Sequence, residues 1–231
     1  MHLSEAKSSP TVTEVRERRI LSLNFVDREK SFMKIDKITD LGGARHKIFL
    51  ENGTTFILYK KEIENRKLTP GEELSVEDFA EIKENLLLKR AKKRGLYLLE
   101  KYSRSESNLT DKLREGGYPD DVVEQAVIYI KSFGYLDDEN LARNIVESRR
   151  TQESSREIVT ILKSKGIEQE TINQTMEKYY NEEYEEEAIK YLMNKKRIEL
   201  ESITWNEKKK FFHYLARKGF SYDSIQRFMK V

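Results

Sequence analysis

The side chains of this chain best suited to chemistry are its clustered cations. Lys89-Arg90-Ala91-Lys92-Lys93-Arg94 places five positive charges in six residues, and Lys195-Lys196-Arg197, Lys208-Lys209-Lys210 and Arg217-Lys218 follow near the C-terminal end. Such groups pair with phosphates or with acidic protein surfaces. The competing reading is a solvated helix face that serves only solubility. Arg104, Arg143, Arg149 and Arg150 are further candidates for partner contact. Their alternative role is salt bridging within or between helices, where a surface pair contributes little.

Other residues point away from catalysis. The histidines, His2, His46 and His213, are too scattered for a metal-binding spacing. Asp137-Asp138 could ligate a cation, but two carboxylates just before Leu141-Ala142 are better read as a helix cap, where the helix dipole favours negative charge. The acidic run Glu182-Glu183-Tyr184-Glu185-Glu186-Glu187 is likewise read as a helix start before phosphate mimicry. Trp205, beside Thr204, reads as a core or staple residue before a base-stacking platform. There is no phosphate-cradling GxxxxGK and no nucleophile elbow, and cysteine is absent, which removes thiol catalysis and disulfides. These observations lead to an expectation of no enzymatic activity, no cofactor and no bound metal.

The elements that carry the cations show a repeat. Leu109, Leu113, Gly117, Tyr118, Val123 return as Ile158, Leu162, Gly166, Ile167, Ile172 and again as Phe211, Leu215, Gly219, Phe220, Ile225. Apolar residues four apart share one helix face, and a glycine four beyond the second can adopt the left-handed conformation that closes a helix. Each copy therefore reads as helix, glycine stop, helix. A further helix leads each pair, with Leu96, Leu99 and Tyr102, then Leu141, Ile145 and Val146, then Ile189, Leu192 and Met193 expected inside. Ser154 with Glu157 and Thr204 with Glu207 form S/T-x-x-E capping boxes, and Ser105 with Asn108 a weaker version.

The first part of the chain differs in kind. Residues 1–15 are polar and are expected to form a disordered leader. Ile20 to Phe25 and Phe32 to Ile35 alternate as strands do, and Asn52-Gly53 predicts a type I′ hairpin in which Phe49 faces Phe56 and Ile48 faces Ile57. Thr69-Pro70-Gly71-Glu72 reads as a turn, and Ser75 with Asp78 as a helix cap. The predicted fold class is mainly α: a small β-rich domain over residues 16–75, then an elongated curved helical domain over residues 76–231. That domain holds three tandem three-helix repeats at about 76–136, 137–181 and 182–231.

With 231 residues, 37% hydrophobic and 36% charged, the chain accommodates this arrangement. No apolar run is long enough for a transmembrane helix and the first residues lack a signal core, so a cytoplasmic, monomeric protein without membrane contact is expected. The net charge of +2 identifies no partner, which leaves the local clusters to do so.

Tyr102-Ser103-Arg104-Ser105, Leu113-Arg114-Glu115-Gly116-Gly117-Tyr118 and Phe133-Gly134-Tyr135-Leu136-Asp137-Asp138 before Leu141-Ala142 resemble motifs of the RecX family of recombination regulators. Lys165-Gly166-Ile167 and Arg217-Lys218-Gly219-Phe220-Ser221-Tyr222 resemble that family's second and third units. The resemblance spans about residues 76–231; residues 16–75 fit more loosely. Leu141 stands where the family usually has phenylalanine, and Gln152-Glu153 replaces a common glycine. The resemblance implies a modulator of the RecA recombinase that lies in the groove of the RecA filament on single-stranded DNA. There it would oppose filament growth or speed disassembly, limiting strand exchange, ATP hydrolysis and co-protease activity in DNA repair and the SOS response. Direct contact with single-stranded DNA is an accompanying expectation. Two alternatives stand beside this reading: a direct DNA binder of helix-turn-helix type, and a helical scaffold or adaptor.

Overall fold

The computed structural model describes residues 32–229, which divide into two compact units between Lys83 and Glu84. The expected leader at residues 1–15 and the strand expected at Ile20 to Phe25 lie outside the described residues.

The first unit contains strands β1 (Phe32–Asp40), β2 (Arg45–Leu50), β3 (Thr55–Tyr59) and β4 (Glu73–Ser75), with helices α1 (Lys60–Arg66) and α2 (Val76–Ile82). They form one antiparallel sheet in the order β3-β2-β1-β4, with a register shift between Ile35 and Lys37. The hairpin is present with its pairing displaced by one residue, so that Ile48 faces Phe56 and Phe49 faces Thr55. The reason is the loop. Gly53 alone takes a positive φ, of 84°, and its N–H donates to the Leu50 carbonyl at 2.9 Å, while Leu50 N–H reaches Thr54 O at 2.9 Å. This is a three-residue turn ending in a left-handed glycine, not the two-residue turn expected. The displaced register puts Ile48, Leu50, Phe56 and Leu58 together on the buried face, and the Phe56 ring lies 5.1 Å from that of Phe79 on α2. Ser75 caps α2 by accepting from Asp78 N–H.

A π-helical turn over Lys83–Leu87 precedes nine α-helices among the described residues of the second unit. They group in threes: α3 (Leu88–Lys101), α4 (Glu106–Glu115) and α5 (Asp120–Ser132); α6 (Asp138–Arg149), α7 (Ser155–Ser164) and α8 (Gln169–Tyr179); α9 (Glu182–Lys195), α10 (Trp205–Lys218) and α11 (Tyr222–Met229). The repeat is therefore real, and its apolar positions are the core. Leu109, Leu113 and Val123, then Ile158, Leu162, Ile167 and Ile172, then Phe211, Leu215, Phe220 and Ile225 are all buried. Gly117, Gly166 and Gly219 have φ of 80°, 76° and 90° at the ends of α4, α7 and α10.

The leading helices correct one expectation. In α3, Leu96 and Tyr102 are exposed, and the buried positions are Ala91, Gly95 and Leu98. A Cβ on Gly95 would stand 2.4 Å from Cδ1 of the buried Ile130, so α3 and α5 approach too closely for a large residue at that point. Ala142 and Ala188 occupy buried positions in α6 and α9 as well, so small residues recur where the leading helices pack.

Consecutive modules are joined in the same way. Ser105, the N-cap of α4, accepts from Asn108 N–H and donates its hydroxyl to the carbonyl of Lys165, one residue before Gly166. Ser154, the N-cap of α7, accepts from Glu157 N–H and donates to the Lys218 carbonyl at 2.6 Å, one residue before Gly219. Each hydroxyl thus satisfies an orphan N–H of its own helix and an orphan C=O of the next module. Thr204 has the same cap but donates within its own turn, to Glu207. Ser154→Ala is therefore expected to lower stability by about 2 kcal/mol, and Thr204→Ala by about 1 kcal/mol, since the first also strands a carbonyl. Urea unfolding measures both; equal losses would remove the joint as the explanation.

Candidate partner-binding surface

The basic cluster lies on α3, where Ala91 and Gly95 face inward and Lys89, Lys93 and Arg94 stand exposed. Arg90 and Lys92 are half-buried, and the Lys92 ammonium sits 3.9 Å from the centre of the Tyr129 ring. Tyr129, Phe133 and Tyr135 form a ladder, with ring centres 4.9 Å and then 6.4 Å apart. Beside it, Lys93, Leu96, Tyr97, Leu99 and Arg104 face Tyr135, Asn140, Leu141 and Asn144 across a cleft of about 710 Å³. The volume lies within the ~300–1,000 Å³ usual for ligand clefts. Cations and exposed rings thus share one surface of the first module and the start of the second.

The four arginine candidates have different surroundings. Arg104 donates to Asn108 at 2.7 Å and to the Leu98 carbonyl at 3.4 Å, holding the turn between α3 and α4 while lining the cleft. Arg143 is exposed and donates to Asn140 at 2.6 Å. Arg149 is paired with Glu153 at 2.6 Å. Arg150 reaches the Tyr179 carbonyl at 3.3 Å and lies 3.9 Å from the Tyr184 ring centre. Arg149 and Arg150 are thus engaged within the helical unit, where they tie α6 to the helices that follow.

In the third module, Lys195, Lys196, Arg197, Lys209, Lys210 and Arg217 are exposed and Lys208 half-buried, with Lys196 4.1 Å from the Tyr214 ring centre. Lys218 pairs with Glu157 of the middle module at 2.5 Å, a hydrogen bond that holds its ammonium above the usual lysine range. Trp205 is 66% exposed at the first turn of α10, which overturns its reading as a core or staple residue: the buried face of α10 is made by Phe211 and Leu215 further along the helix.

The carboxylates are structural. Asp137 caps α6 by accepting from Asn140 N–H at 2.9 Å. Asp138 accepts from Glu106 N–H at 3.0 Å, linking the first two modules, and burial pushes its carboxyl up from the usual range. Glu185, from the acidic run, is buried and accepts from Ser221 N–H at 3.1 Å and the Ser224 hydroxyl at 2.6 Å, fixing the start of α11. Among the described residues no three His, Cys, Asp or Glu side chains converge as a metal site.

These three-helix modules match known ones. Residues 91–129 match the family model for "RecX, first three-helix domain" and residues 182–229 that for "RecX, third three-helix domain". The regulatory protein RecX of Caldanaerobacter subterraneus subsp. tengcongensis is 26% identical over 213 residues, covering 92% of this chain and 100% of that protein. Over most of its length this chain is similar to RecX-family proteins. The regulatory protein RecX of Clostridium perfringens (strain SM101 / Type A) is 27% identical over 187 residues, covering 78% of this chain and 85% of that protein. Two crystal structures share the fold: a regulatory protein RecX (TM-score 0.54, 24% identity, 86% of this chain and 98% of that one) and RecX from Lactobacillus salivarius (TM-score 0.53, 21% identity, 62% and 95%).

The match to the first RecX domain begins at Ala91, within the cation cluster, and ends at Tyr129, the first ring of the ladder. Sequence reasoning found the cations and overlooked the rings. The signal for them was available: Ile128, Tyr129 and Phe133 are large apolar residues that fall off the face defined by Val123, Val127 and Ile130, and all three are exposed.

Proposed function

We propose that this RecX-like chain is a non-enzymatic regulator of a RecA recombinase that docks along the RecA filament on single-stranded DNA and limits its activity in DNA repair and the SOS response. The observation that carries this reading is the pair of equivalent joints, Ser105 to Lys165 and Ser154 to Lys218, that link like modules in series. Serial modules with like joints suit a partner that itself repeats along an axis. The cation and ring surface of the first module supplies complementarity to acidic protein or phosphate. No described helix is long and apolar enough to cross a membrane, and action on a DNA-bound filament implies the cytoplasm.

A helix-turn-helix mode of duplex binding is disfavoured by charge. The helices that follow the glycine turns begin Asp120-Asp121, Gln169-Glu170 and Tyr222-Asp223, so acidic side chains occupy the N-termini that would approach phosphates. The deciding experiment is ATP hydrolysis by RecA preassembled on single-stranded DNA and titrated with this protein. Suppression below one copy per recombinase is expected; unchanged hydrolysis at saturating protein would overturn the reading.

A further inference from the structure

We infer that the cleft between α3 and α6, with the ring ladder beside it, is a binding site for single-stranded DNA in which unpaired bases stack on Tyr97, Phe133 and Tyr135. This inference rests on the filament reading, which brings the chain to a single strand, and names which component of the filament this surface takes.

Exposure is the first support. Tyr97, Phe133 and Tyr135 are 49%, 59% and 60% exposed. Phe133 and Tyr135 lie 27° from parallel with ring centres 6.4 Å apart, so the two exposed rings form one stacked pair at the surface. Exposed rings with accessible faces are what unpaired bases stack on, whereas the bases of a duplex are already stacked and paired.

Charge is the second. Lys89, Lys92, Lys93, Arg94 and Lys101 form no ion pair among the described residues, while Lys112, Arg114 and Lys131 in the same module are each paired with a carboxylate. The cations of α3 thus remain available to phosphate oxygens, and Arg94 and Lys101 flank the Tyr97 ring at 5.5 Å and 5.6 Å. Phosphates and bases would be met side by side, as in single-strand grooves that combine a basic track with stacking platforms.

The cleft is the third. Its apolar surface comes from Leu96, Leu99 and Leu141, and Tyr97 and Tyr135 stand at its sides. Asn140 and Asn144 supply amides, and Glu100 a carboxylate, suited to the polar edges of a base; Asp137 in the same cleft is occupied as the α6 cap. An acidic protein loop would find the cations but would leave this pairing of flat rings with edge-directed amides unused.

The test uses the full-length protein and a dye-labelled oligothymidylate, with fluorescence anisotropy read at several salt concentrations. Y97A/Y135A is expected to raise Kd at least tenfold, because each stacked base is worth about one order of magnitude or more in affinity. Y97F/Y135F keeps both rings and is expected to bind as wild type. The salt dependence should be the same in all three proteins, since the cations are untouched. Binding by Y97A/Y135A within twofold of wild type, or equal wild-type affinity for duplex and single strand, would overturn the inference. Circular dichroism confirms that the variants fold. Suppression of RecA ATP hydrolysis by the wild-type protein is scored separately: if it persists in Y97A/Y135A while oligothymidylate binding is lost, both readings stand. If wild-type suppression is seen without single-strand binding, the filament reading stands and the stacking site falls.

Discussion

Gly219→Val is expected to destabilise the helical unit by about 3–5 kcal/mol, combining the strain of a β-branched residue at positive φ with overpacking. Both causes are visible at this position. The φ of Gly219 is 90°, and an added Cβ would lie 2.6 Å from Cβ and 2.7 Å from Cδ of Arg156, at the first turn of α7. The near atom belongs to the base of the arginine side chain, which cannot swing aside without moving its helix. The joint made by the Ser154 hydroxyl and the Lys218 carbonyl would open at the same place. Gly166→Val should fall somewhat below it, with φ of 76° and the nearest contact, Ser107 Cβ, at 3.0 Å. Gly134→Val isolates the backbone contribution, because Gly134 has a φ of 73° and nothing within 4 Å of an added Cβ. Urea unfolding should rank the losses Gly219, Gly166, Gly134. Equal losses at all three would mean that close approach between modules contributes nothing.

This contrast shows how much of the fold was legible in the sequence. The second helices and their stops were legible because spacing by four and a terminal glycine are local signals, and burial of Leu109, Leu113, Ile158, Leu162, Phe211 and Leu215 follows from them. The inner face of α3 was not, because Gly95 lies where an added Cβ would stand 2.4 Å from Ile130, a tertiary fact that no periodicity in α3 reports. Helix α1, Lys-Lys-Glu-Ile-Glu-Asn-Arg, escaped because it buries no residue; it is held by the cap at Tyr59, where the backbone N–H donates to Glu62 at 2.8 Å, and by a left-handed Lys67. Hairpin register failed by one residue because Asn52-Gly53 is compatible with turns of two lengths, and only the shared burial of Ile48 and Phe56 selects between them. The candidate site divides in the same way. Clustered cations are a property of sequence, whereas the engagement of Arg149 with Glu153 and of Arg150 with Tyr179 and Tyr184 depends on where other helices end.

The largest expected functional effect comes from reversing charge on α3. Replacing Lys89, Arg90, Lys92, Lys93 and Arg94 together with glutamate should weaken association with RecA filaments at least a hundredfold at low salt, and suppression of ATP hydrolysis should fall with it. For any phosphate contacts, each neutralised charge contributes about 0.7 to the slope of log affinity against log salt on a single strand. Loss of all five would therefore flatten that slope by up to about 3.5. The fold should survive, because the helix is held by Ala91, Gly95 and Leu98 on the opposite face. Removing the Lys92 contact to Tyr129 costs only about 0.5–1 kcal/mol at a half-exposed site. Circular dichroism and urea unfolding check this separately from binding. A well-folded variant that still suppresses ATP hydrolysis at wild-type concentrations would show that α3 is a solvated face, and would move the docking surface to the third-module cations Lys195, Lys196, Arg197, Lys209 and Lys210. A variant that loses suppression while Y97A/Y135A retains it would instead divide the surface by function, with the cations holding the filament and the rings holding its DNA.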